Sequence, residues 1–418
     1  MSEDVVAPDG WTIAPLALCV DVLDSRRKPV NAKGRAARPG PIPYYGATGQ
    51  VGWIDDYLFD EELVLLGEDG APFLDKSKPI AYVIDGKSWV NNHAHVLRAR
   101  REVTSNRYIK HYLDSFDFKD RVQGSTRDKL NQGSMNSIPV LLAPRPTQDT
   151  LVAAIDAFES KRASASGHLS AAHRANERFR QAVLAAACSG RLTADWRAER
   201  DIEDAADMSG GWESLTLGTI ASSIRGGSTE VPRNEPTNYP ILRSSSVRPF
   251  SIDFSDVRYL SAEQSTREAN YLQDGDLLIT RLSGSLEYVG NCGIVRLADD
   301  ARIQYPDRLF CCRLSDPREA QFVELVFAGP EIRSQIEAAT RSAAGHQRIS
   351  ISDLKGFHFA RPPLDEQAEI VRRVRQLLQL ADGLKGRIDA ASKHVGRSSQ
   401  AVLAKAFRGE LVGSGGTE

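Results

Sequence analysis

The chain has 418 residues, of which 41% are hydrophobic and 26% are charged, so it has the composition of an ordinary globular protein and the length of two or more domains. Its net charge of −2 and its five scattered cysteines, with no C-x-x-C pair, exclude a uniformly basic nucleic-acid-binding protein and a disulfide framework, and they disfavour a zinc site. The sequence has no run of about 18 apolar residues, so no membrane-spanning segment is predicted. The acidic N-terminus lacks the apolar segment of a secretory signal, so we expect a cytoplasmic protein.

The first globular region, predicted over residues 1–143, contains short apolar runs separated by turn residues. L-V-L-L-G-E-D-G and A-Y-V-I-D-G-K-S-W-V-N-N-H-A-H-V-L are typical of strands joined by Asp-Gly turns. The triplet Gly86–Ser88 resembles the end of a phosphate-binding loop, but the first glycine of that motif would fall at Ala81. We therefore predict a hairpin turn at Asp85-Gly86 and no nucleotide site.

Basic and polar loops of this region are candidate DNA contacts, because such side chains bind base edges and phosphates. Arg26–Arg38 holds six basic groups and no acid, for which a solvated basic loop is the alternative. If Asn91, His93 and His95 lay on one strand, they would share a polar face. No carboxylate or thiolate stands at ligand spacing near them in the sequence, so no metal site is predicted. The candidates are Arg26, Arg27, Lys28, Lys33, Arg35, Tyr44, Tyr45, Thr48, Asn91, Asn92, His93, His95, Ser125, Thr126, Arg127 and Lys129.

A helical segment is predicted over residues 144–195, a linker over 196–210 and a second globular region over 211–361. In that region D-G-D-L-L-I-T-R-L-S-G-S and G-N-C-G-I-V-R-L are typical of strands. The first region carries 18 basic and 19 acidic residues and the second 17 and 19, so any charge facing phosphates must be local. The candidate DNA contacts here are Arg243, Ser244, Ser245, Arg248, Arg281, Ser283, Ser285, Tyr288, Arg341, His346, Gln347 and Arg348.

A second helical segment, predicted over residues 362–414, repeats the first at a constant offset of 219 residues. Q-A-V-L-A-K-A-F-R-G-E-L (Gln400–Leu411) closely resembles Q-A-V-L-A-A-A-C-S-G-R-L (Gln181–Leu192), and Gln367 corresponds to Gln148. Apolar residues from Ile370 to Ile388, including Leu384, recur at steps of three and four, and Asp365 stands where an N-cap is expected. Long amphipathic helices must bury their apolar stripe, so we predict that the two copies pair as an antiparallel, coiled-coil-like spacer.

No methyltransferase, hydrolase, helicase or metalloprotease motif is found in the chain. A nuclease or methyltransferase of unrecognised type remains an alternative. A DNA-binding scaffold or regulator in another defence assembly is a second one.

P-P-L-D-E-Q-A-E-I-V-R-R-V (Pro362–Val374) and L-A-K-A-F-R-G-E-L (Leu403–Leu411) resemble the C-terminal motifs of specificity subunits of type I restriction–modification systems. Y-Y-G-A-T-G-Q-V-G-W-I-D-D-Y, W-V-N-N-H-A-H-V-L and G-D-L-L-I-T-R-L-S-G-S resemble target-recognition regions of that family. The first repeat departs from the pattern, with Ala143–Gln148 in place of P-P-L-x-E-Q and Cys188–Arg191 in place of A-F-R-G. This departure could weaken one of the two docking surfaces that the family uses.

The resemblance implies an α+β protein in which two mixed α/β target-recognition globules are separated by the paired helices with quasi-twofold symmetry. Such a subunit is not an enzyme: each globule recognises one half of a split DNA site, and the helices fix the spacing. Two methyltransferase subunits and restriction/translocase subunits are the implied partners, together with double-stranded DNA and no membrane. S-adenosylmethionine, ATP and Mg²⁺ are expected in those partners and no cofactor in this chain. The implied docking candidates are Gln148, Gln181, Leu184, Leu192, Gln367, Leu403, Phe407, Arg408 and Leu411.

Overall fold

The computed structural model describes residues 6–124, 128–200, 211–265, 267–298, 301–343 and 346–411. The chain divides into two compact units: unit 1 consists of residues 1–171 and 388–418, and unit 2 consists of residues 172–387. Each unit therefore combines one globular region with parts of both helical segments. Within the described ranges, no helix has the length and apolar character needed to span a membrane.

Unit 1 is built from short strands and helices that precede the first long helix. The elements are β1 Thr12–Pro15, α1 Leu16–Cys19, β2 Val20–Val22, α2 Ala32–Ala36, β3 Ile42–Gly46, β4 Gly49–Ile54, β5 Phe59–Asp60, β6 Leu63–Gly67, β7 Ala81–Ile84, β8 Lys87–Val90, β9 Ala94–Ala99, α3 Asn106–Ser115, α4 Gln132–Asn136, β10 Pro139–Leu142 and α5 Arg145–Cys188, which continues into unit 2. The main antiparallel sheet has the order β2-β9-β6-β7, and a second sheet has the order β4-β3-β8-β5. β1 pairs with β10 immediately before α5.

β6 forms the centre of unit 1 because all five of its residues are buried. Alternate residues of a strand point to opposite faces. Val64 and Leu66 pack in the core that includes α3, whereas Leu63 and Leu65 pack in a separate core beneath the second sheet. An uninterrupted apolar run is therefore needed here, in contrast to the alternating pattern of a half-exposed strand.

Unit 2 contains the second globular region and the start of the second long helix. The elements are α6 Ala194–Ala198, β11 Glu213–Thr216, α7 Leu217–Ile220, β12 Ala221–Gly226, β13 Pro240–Leu242, β14 Val247–Arg248, β15 Ser251–Ile252, β16 Val257–Tyr259, β17 Leu277–Thr280, β18 Leu282–Ser283, β19 Cys292–Ile294, β20 Leu309–Leu314, α8 Ala320–Ala328, α9 Pro330–Ala339, β21 Arg341–Ala343, β22 His346–Arg348, α10 Ile351–Gly356, β23 His358–Arg361 and α11 Leu364–Phe407, which continues into unit 1. The main antiparallel sheet has the order β12-β20-β17-β19, and β11 pairs with β23.

The predicted strands are found with one difference at Asp85-Gly86. A turn occurs there, since Gly86 has φ +71 and its N–H donates to the Asp85 carboxylate. The prediction of a hairpin is wrong, however, because β7 pairs with β6 whereas β8 pairs with β3 and β5. The turn therefore carries the chain from one sheet to the other.

The two long helices, α5 and α11, have 44 residues each, and the offset of 219 relates both their first and their last residues. Each begins with the same contact: Gln148 Nε2 donates to Ala143 O (3.0 Å), and Gln367 Nε2 donates to Pro362 O (2.9 Å). Asp365 is in the first turn of α11, so its prediction as the N-cap is wrong by two positions.

The predicted antiparallel pairing of the helices is present within each unit. In unit 1, Ser399 Oγ donates to Glu159 (2.5 Å), and Leu151 shares a core with Phe407. In unit 2, Asn176 Nδ2 donates to Ala381 O (3.0 Å). Leu384, predicted to lie in the buried stripe, is 42% exposed.

The predicted linker begins later than expected. Trp196 and Arg197 belong to α6 and are buried. Their burial shows that the segment after the first repeat folds onto unit 2, and only residues 201–210 of the predicted linker lie outside the described ranges.

Candidate nucleic-acid interface

In unit 1, the polar loops singled out from the sequence meet at one place. Asn91 N donates to Tyr45 O (3.1 Å), Glu68 N donates to His93 O (2.8 Å), and Leu130 N donates to Glu68 O (2.8 Å). These backbone bonds join the β3–β4 hairpin, the end of β6, the β8–β9 turn and the segment that leads to α4. Segments distant in the sequence thus present one composite surface.

A buried ionic cluster lies beneath this surface. His95 Nδ1 is 2.6 Å from Asp24 Oδ2, and its Nε2 is 2.9 Å from Leu130 O. Arg27 Nη1 is 2.6 Å from Glu68 Oε2, and Arg27 Nη2 is 3.3 Å from Asp24 Oδ2. Buried charges of this kind are stable only when paired and hydrogen-bonded, and here each has an opposite charge within reach.

This cluster corrects two predictions. His95 is 1% exposed and lies in β9, whereas Asn91 and His93 lie in the preceding turn, so the three side chains do not form one polar face. Carboxylates do come close to these histidines, since ligand atoms of Asp24, Glu68 and His95 lie within 4.8 Å of one another. Arg27 pairs with Asp24 and Glu68, and Lys129 Nζ is 3.3 Å from Glu68 Oε1. Because protein cations already pair with both carboxylates, we assign no metal to the cluster.

The basic segment Arg26–Arg38 is largely engaged in contacts within unit 1. Arg26 donates to Leu58 O (2.7 Å), Arg35 donates to Val30 O (2.6 Å) and lies over the Tyr44 ring, and Arg38 is 2.7 Å from Asp55. Lys28 and Lys33 are exposed. Phosphate contacts by this segment stay a prediction, for which these two lysines are exposed candidates.

The remaining candidates of unit 1 fall into exposed and buried groups. Tyr44 is 1% exposed and its hydroxyl accepts from Val30 N, so the prediction of a DNA contact at Tyr44 is wrong. Asn91 is buried and holds the turn by accepting from His93 N (2.8 Å). Exposed or half-buried positions are Tyr45, Thr48, Asn92, His93 and Lys129. Ser125, Thr126 and Arg127 lie outside the described residues.

In unit 2, two candidate loops about sixty residues apart form one small sheet. β22 pairs with β18 on one side and with β21 on the other. In this register Arg348 stands opposite both Leu282 and Arg341, and Gln347 stands opposite both Ser283 and Ser342. Residues directly opposite each other in an antiparallel pair share a face, so the sheet has an arginine face and a Ser-Gln-Ser face.

Each face of this sheet has chemistry suited to DNA. Like charges opposite each other are destabilising, and an anion such as phosphate removes that repulsion. Both arginines are exposed, and Arg341 lies 3.6 Å from Asp353. On the other face, Ser342 Oγ donates to Gln347 Oε1 (2.7 Å), which orients an amide of the type that binds adenine. His346 lies next to these residues in β22 and is half-buried.

Other candidates of unit 2 contact neighbouring loops. Arg243 Nη1 is 3.6 Å from Asp256 Oδ1, and Ser245 Oγ donates to Asp256 Oδ2 (2.5 Å). Arg281 Nη1 donates to Asp307 O (3.1 Å). The Arg248 guanidinium lies 5.2 Å from the centre of the Tyr288 ring. Ser244 and Ser285 are half-buried.

Exposed aromatic residues of unit 1 were missed by the sequence analysis. Trp53 is 56% exposed and Tyr57 is 42% exposed, with Lys87 Nζ 4.7 Å from the centre of the Tyr57 ring. Val51 and Trp53 are two residues apart on β4 and therefore lie on one face of the strand. This spacing in the sequence could have indicated an exposed apolar face.

Most predicted docking residues are buried inside their own unit. Gln148, Leu184, Gln367, Leu403 and Phe407 are between 2 and 6% exposed. Leu192 and Leu411 are half-buried against the cores of units 2 and 1. Gln181 and Arg408 remain exposed. The repeated motif therefore anchors each helix end to its globule, and the docking of a partner by these side chains stays a prediction.

The chain is similar to known proteins over nearly its whole length. The sequence model of the type I restriction modification DNA specificity domain matches residues 8–170. The specificity subunit of the type I restriction enzyme EcoKI of Escherichia coli K12 is 30% identical over 97% of this chain and 90% of that protein. The StySPI specificity subunit of Salmonella potsdam is 25% identical over the same shares of the two chains.

Two solved structures share the fold. A chain from a study of complex assembly and conformational transition of the type I R-M system aligns with a TM-score of 0.69 at 17% identity, covering 97% of this chain and all of that one. The HsdS subunit of Thermoanaerobacter tengcongensis aligns with a TM-score of 0.54 at 18% identity, covering 98% of this chain and all of that one.

Proposed function

Because this chain belongs to the family of type I restriction–modification specificity subunits, we propose that it directs methylation and restriction to a DNA site made of two different halves. Membership of the family means that the chain is a non-catalytic subunit for DNA sequence recognition. Each unit would recognise one half-site in the cytoplasm, where the chromosome is available.

One observation supports the assignment of one half-site to each unit. The main sheets of the two units have strands in the same chain order, but the segments inserted between those strands differ. In unit 1 the inserts form the β4-β3-β8-β5 sheet, whereas in unit 2 they form the β13-β16 and β14-β15 pairs and supply β18, which pairs with β22 after the last main strand. A common frame with different exposed inserts suits two related recognition units that bind different sequences.

The long helices would set the distance between the half-sites. Each has 44 residues, about 66 Å at 1.5 Å per residue, and one turn of B-DNA measures about 34 Å. A flexible linker would not keep such a spacing. Inserting a heptad into both helices is expected to lengthen the unrecognised gap, and an unchanged gap would contradict this role.

Two methyltransferase subunits would bind the exposed faces of the helical segments. Phe179, Leu380 and Leu384 are 36–59% exposed, and large apolar side chains on a helix surface are typical of a protein interface. S-adenosylmethionine, ATP and Mg²⁺ would be bound by the methyltransferase and restriction/translocase subunits.

Methylation mapping tests the proposal. The chain, produced with its cognate methyltransferase subunit, is expected to produce methylated adenines at one bipartite sequence across a genome. Replacing residues 1–143 with the corresponding region of another family member should change one half of that sequence only. A change in both halves, or methylation without a bipartite site, would contradict the proposal.

A further inference from the structure

A cavity of about 560 Å³ lies in unit 2 where α11 begins. It is lined by the first residues of the second repeat and by the strand ends that precede α7 and α8. Its ionisable lining side chains are Glu213, Asp316, Glu319 and Arg361. Leu364 and Gln367 contribute from α11. The volume is within the range of small-ligand sites and is therefore ample for one long side chain.

Gln367 leaves a hydrogen-bond acceptor unused at this cavity. Its side chain is 3% exposed and its Nε2 donates to Pro362 O (2.9 Å). Its Oε1 is buried and has no hydrogen-bond partner among the described residues. Buried polar atoms are nearly always paired in native proteins, so this oxygen can accept from a donor that the described residues do not supply.

The corresponding position in unit 1, at the start of α5, has hydrogen-bond donors that the described residues around the cavity in unit 2 do not supply. Gln148, which corresponds to Gln367, accepts from Thr104 Oγ1 (2.8 Å). Thr104 is the fifth residue after β9, and Glu319 is the fifth residue after β20, so a carboxylate in unit 2 replaces the hydroxyl donor. Arg145, which corresponds to Leu364, donates from Nη1 to Arg101 O (3.0 Å). An arginine of the chain thus bridges this place in unit 1, whereas unit 2 has leucine.

The charge around the cavity favours a cation. Arg361 pairs with Glu213 and lies 3.2 Å from Glu319, and Asp316 pairs with the exposed Arg318 at 2.6 Å. Three carboxylates and one guanidinium line the cavity itself. Guanidinium groups bind carboxylates through several directed hydrogen bonds, and they also donate to amide oxygens.

We propose that this cavity binds an arginine side chain of a methyltransferase subunit, so that the two methyltransferase copies are held by chemically different contacts. This inference rests on the proposed function. In unit 2 the partner's guanidinium would bind the carboxylates and Gln367 Oε1, whereas in unit 1 the chain's own Arg145 occupies the corresponding place.

Native mass spectrometry of the full chain titrated with its cognate methyltransferase subunit tests the inference. The wild-type chain is expected to bind two copies. Leu364→Arg supplies the guanidinium from within the chain, as Arg145 does in unit 1, and should weaken the binding of one copy about tenfold or more, as expected when a charge-assisted hydrogen bond is lost. Val231→Arg adds the same charge at a residue 77% exposed outside the cavity and should bind both copies as the wild type does.

A second variant keeps the test decisive if Leu364→Arg does not fold. Glu213→Gln combined with Asp316→Asn preserves the shape of the lining and removes two charges. It should weaken one copy several-fold and make its binding less dependent on salt. Arginine amide at millimolar concentration should displace one copy from the wild type, and norleucine amide should not.

The outcomes separate the two proposals. Failure of the wild-type chain to bind any methyltransferase would contradict the proposed function. If a folded cavity variant binds two copies with unchanged affinity and salt dependence, the arginine site is overturned. The proposed function is not affected by that result.

Discussion

Unit 1 and unit 2 share a frame that their sequences barely reveal. In each, the strands of the main sheet are arranged as first, fourth, second and third in chain order. Leu16 N donates to Ile138 O in unit 1 and Leu217 N donates to Phe357 O in unit 2, both at 2.8 Å. Between these shared elements the inserts differ completely. Backbone pairing therefore maintains the same scaffold in both units, whereas the segments between the shared strands differ in structure.

The helix anchors of the two units have diverged as well, although the helices match in length. Phe407 in unit 1 corresponds to Cys188 in unit 2, and Thr147 in unit 1 corresponds to Glu366 in unit 2. Cys188 packs closely against Gly329, because a Cβ added to that glycine would lie only 2.6 Å from Cys188 Sγ. Cys188 is thus packed against the core of unit 2, as Phe407 is packed in the core of unit 1.

The largest expected difference between the units is at this anchor. Phe407 is 6% exposed and contacts the rings of Tyr108 and Tyr112 at centroid distances of 5.5 and 5.1 Å. Phe407→Ala should lower the free energy of unfolding of unit 1 by about 3–5 kcal/mol. Cys188→Ala should cost unit 2 about 1 kcal/mol, as for one methylene. Hydrogen exchange resolved by unit measures both, and equal losses would contradict the comparison.

The next effect concerns Glu366, a buried carboxylate at the position where unit 1 has Thr147. Glu366 is 1% exposed and accepts from Thr193 (2.7 Å), Arg197 (2.5 Å) and Trp212 (3.0 Å). Glu366→Gln should destabilise unit 2 by about 3 kcal/mol, because it removes the negative charge from a buried, hydrogen-bonded ion pair.

Asp365→Asn provides the matched control for Glu366→Gln. Asp365 is exposed in the same turn and should cost about 0.3–1 kcal/mol through the helix dipole. Urea denaturation monitored by Trp212 fluorescence distinguishes the two variants. A loss at Glu366 no larger than that at Asp365 would show that the buried pair is not an anchor.

The repeat and the helices could be predicted because both are local properties of the sequence. A constant offset and a periodic apolar pattern need no knowledge of distant contacts. The helices begin within two residues of the predicted segments 144–195 and 362–414, but both end seven residues before the predicted bounds. Asp365 lies inside the helix because Gln367 N already donates to Pro363 O (2.9 Å), so that α11 begins at Leu364.

The candidate site was harder to predict because its contacts join distant segments. Tyr44 and His95 were placed on the surface, yet the partners that bury them, Val30 and Asp24, come from another part of the region. The buried docking residues show a second limit. Repetition indicates that a position is used twice, but not whether it faces a partner or the chain's own core.

Stability against pH should distinguish buried from exposed carboxyls within unit 1. Burial raises the pKa of Asp114, whose Oδ1 accepts from Ile80 N (2.9 Å) and Ala81 N (3.0 Å). A raised folded-state pKa means that the carboxyl stabilises unit 1 in its protonated form, and that this contribution is lost as the pH rises above the ordinary value of 3.8. Asp114→Asn stays neutral and keeps an oxygen acceptor but loses the ion pair with Lys110 (3.1 Å). Its melting temperature relative to the wild type should therefore rise as the pH increases above about 4.

Asp117→Asn is the control of opposite sign. The hydrogen bond from Lys76 lowers the pKa of Asp117, so the carboxylate stabilises unit 1 above its ordinary pKa and loses that effect as the pH falls. The variant should therefore melt slightly below the wild type at neutral pH, by a small amount because the pair is more than half exposed. Parallel pH profiles for the two variants would contradict the assignment of burial as the cause at Asp114.

The smallest expected effect tests the arginine face of the β18-β22-β21 sheet in unit 2. Arg348→Gln removes one cation from the β18-β22-β21 sheet and, if Arg348 contacts a phosphate, should reduce the slope of log K against log salt by about 0.9. Binding should weaken uniformly across DNA sequences, because phosphate contacts carry no base information. Arg302→Gln is the control, since Arg302 is exposed but bound to Glu268 at 2.6 Å. Fluorescence anisotropy of the complex with methyltransferase measures the slopes, and a change in sequence preference without a change in slope would assign Arg348 to a base instead.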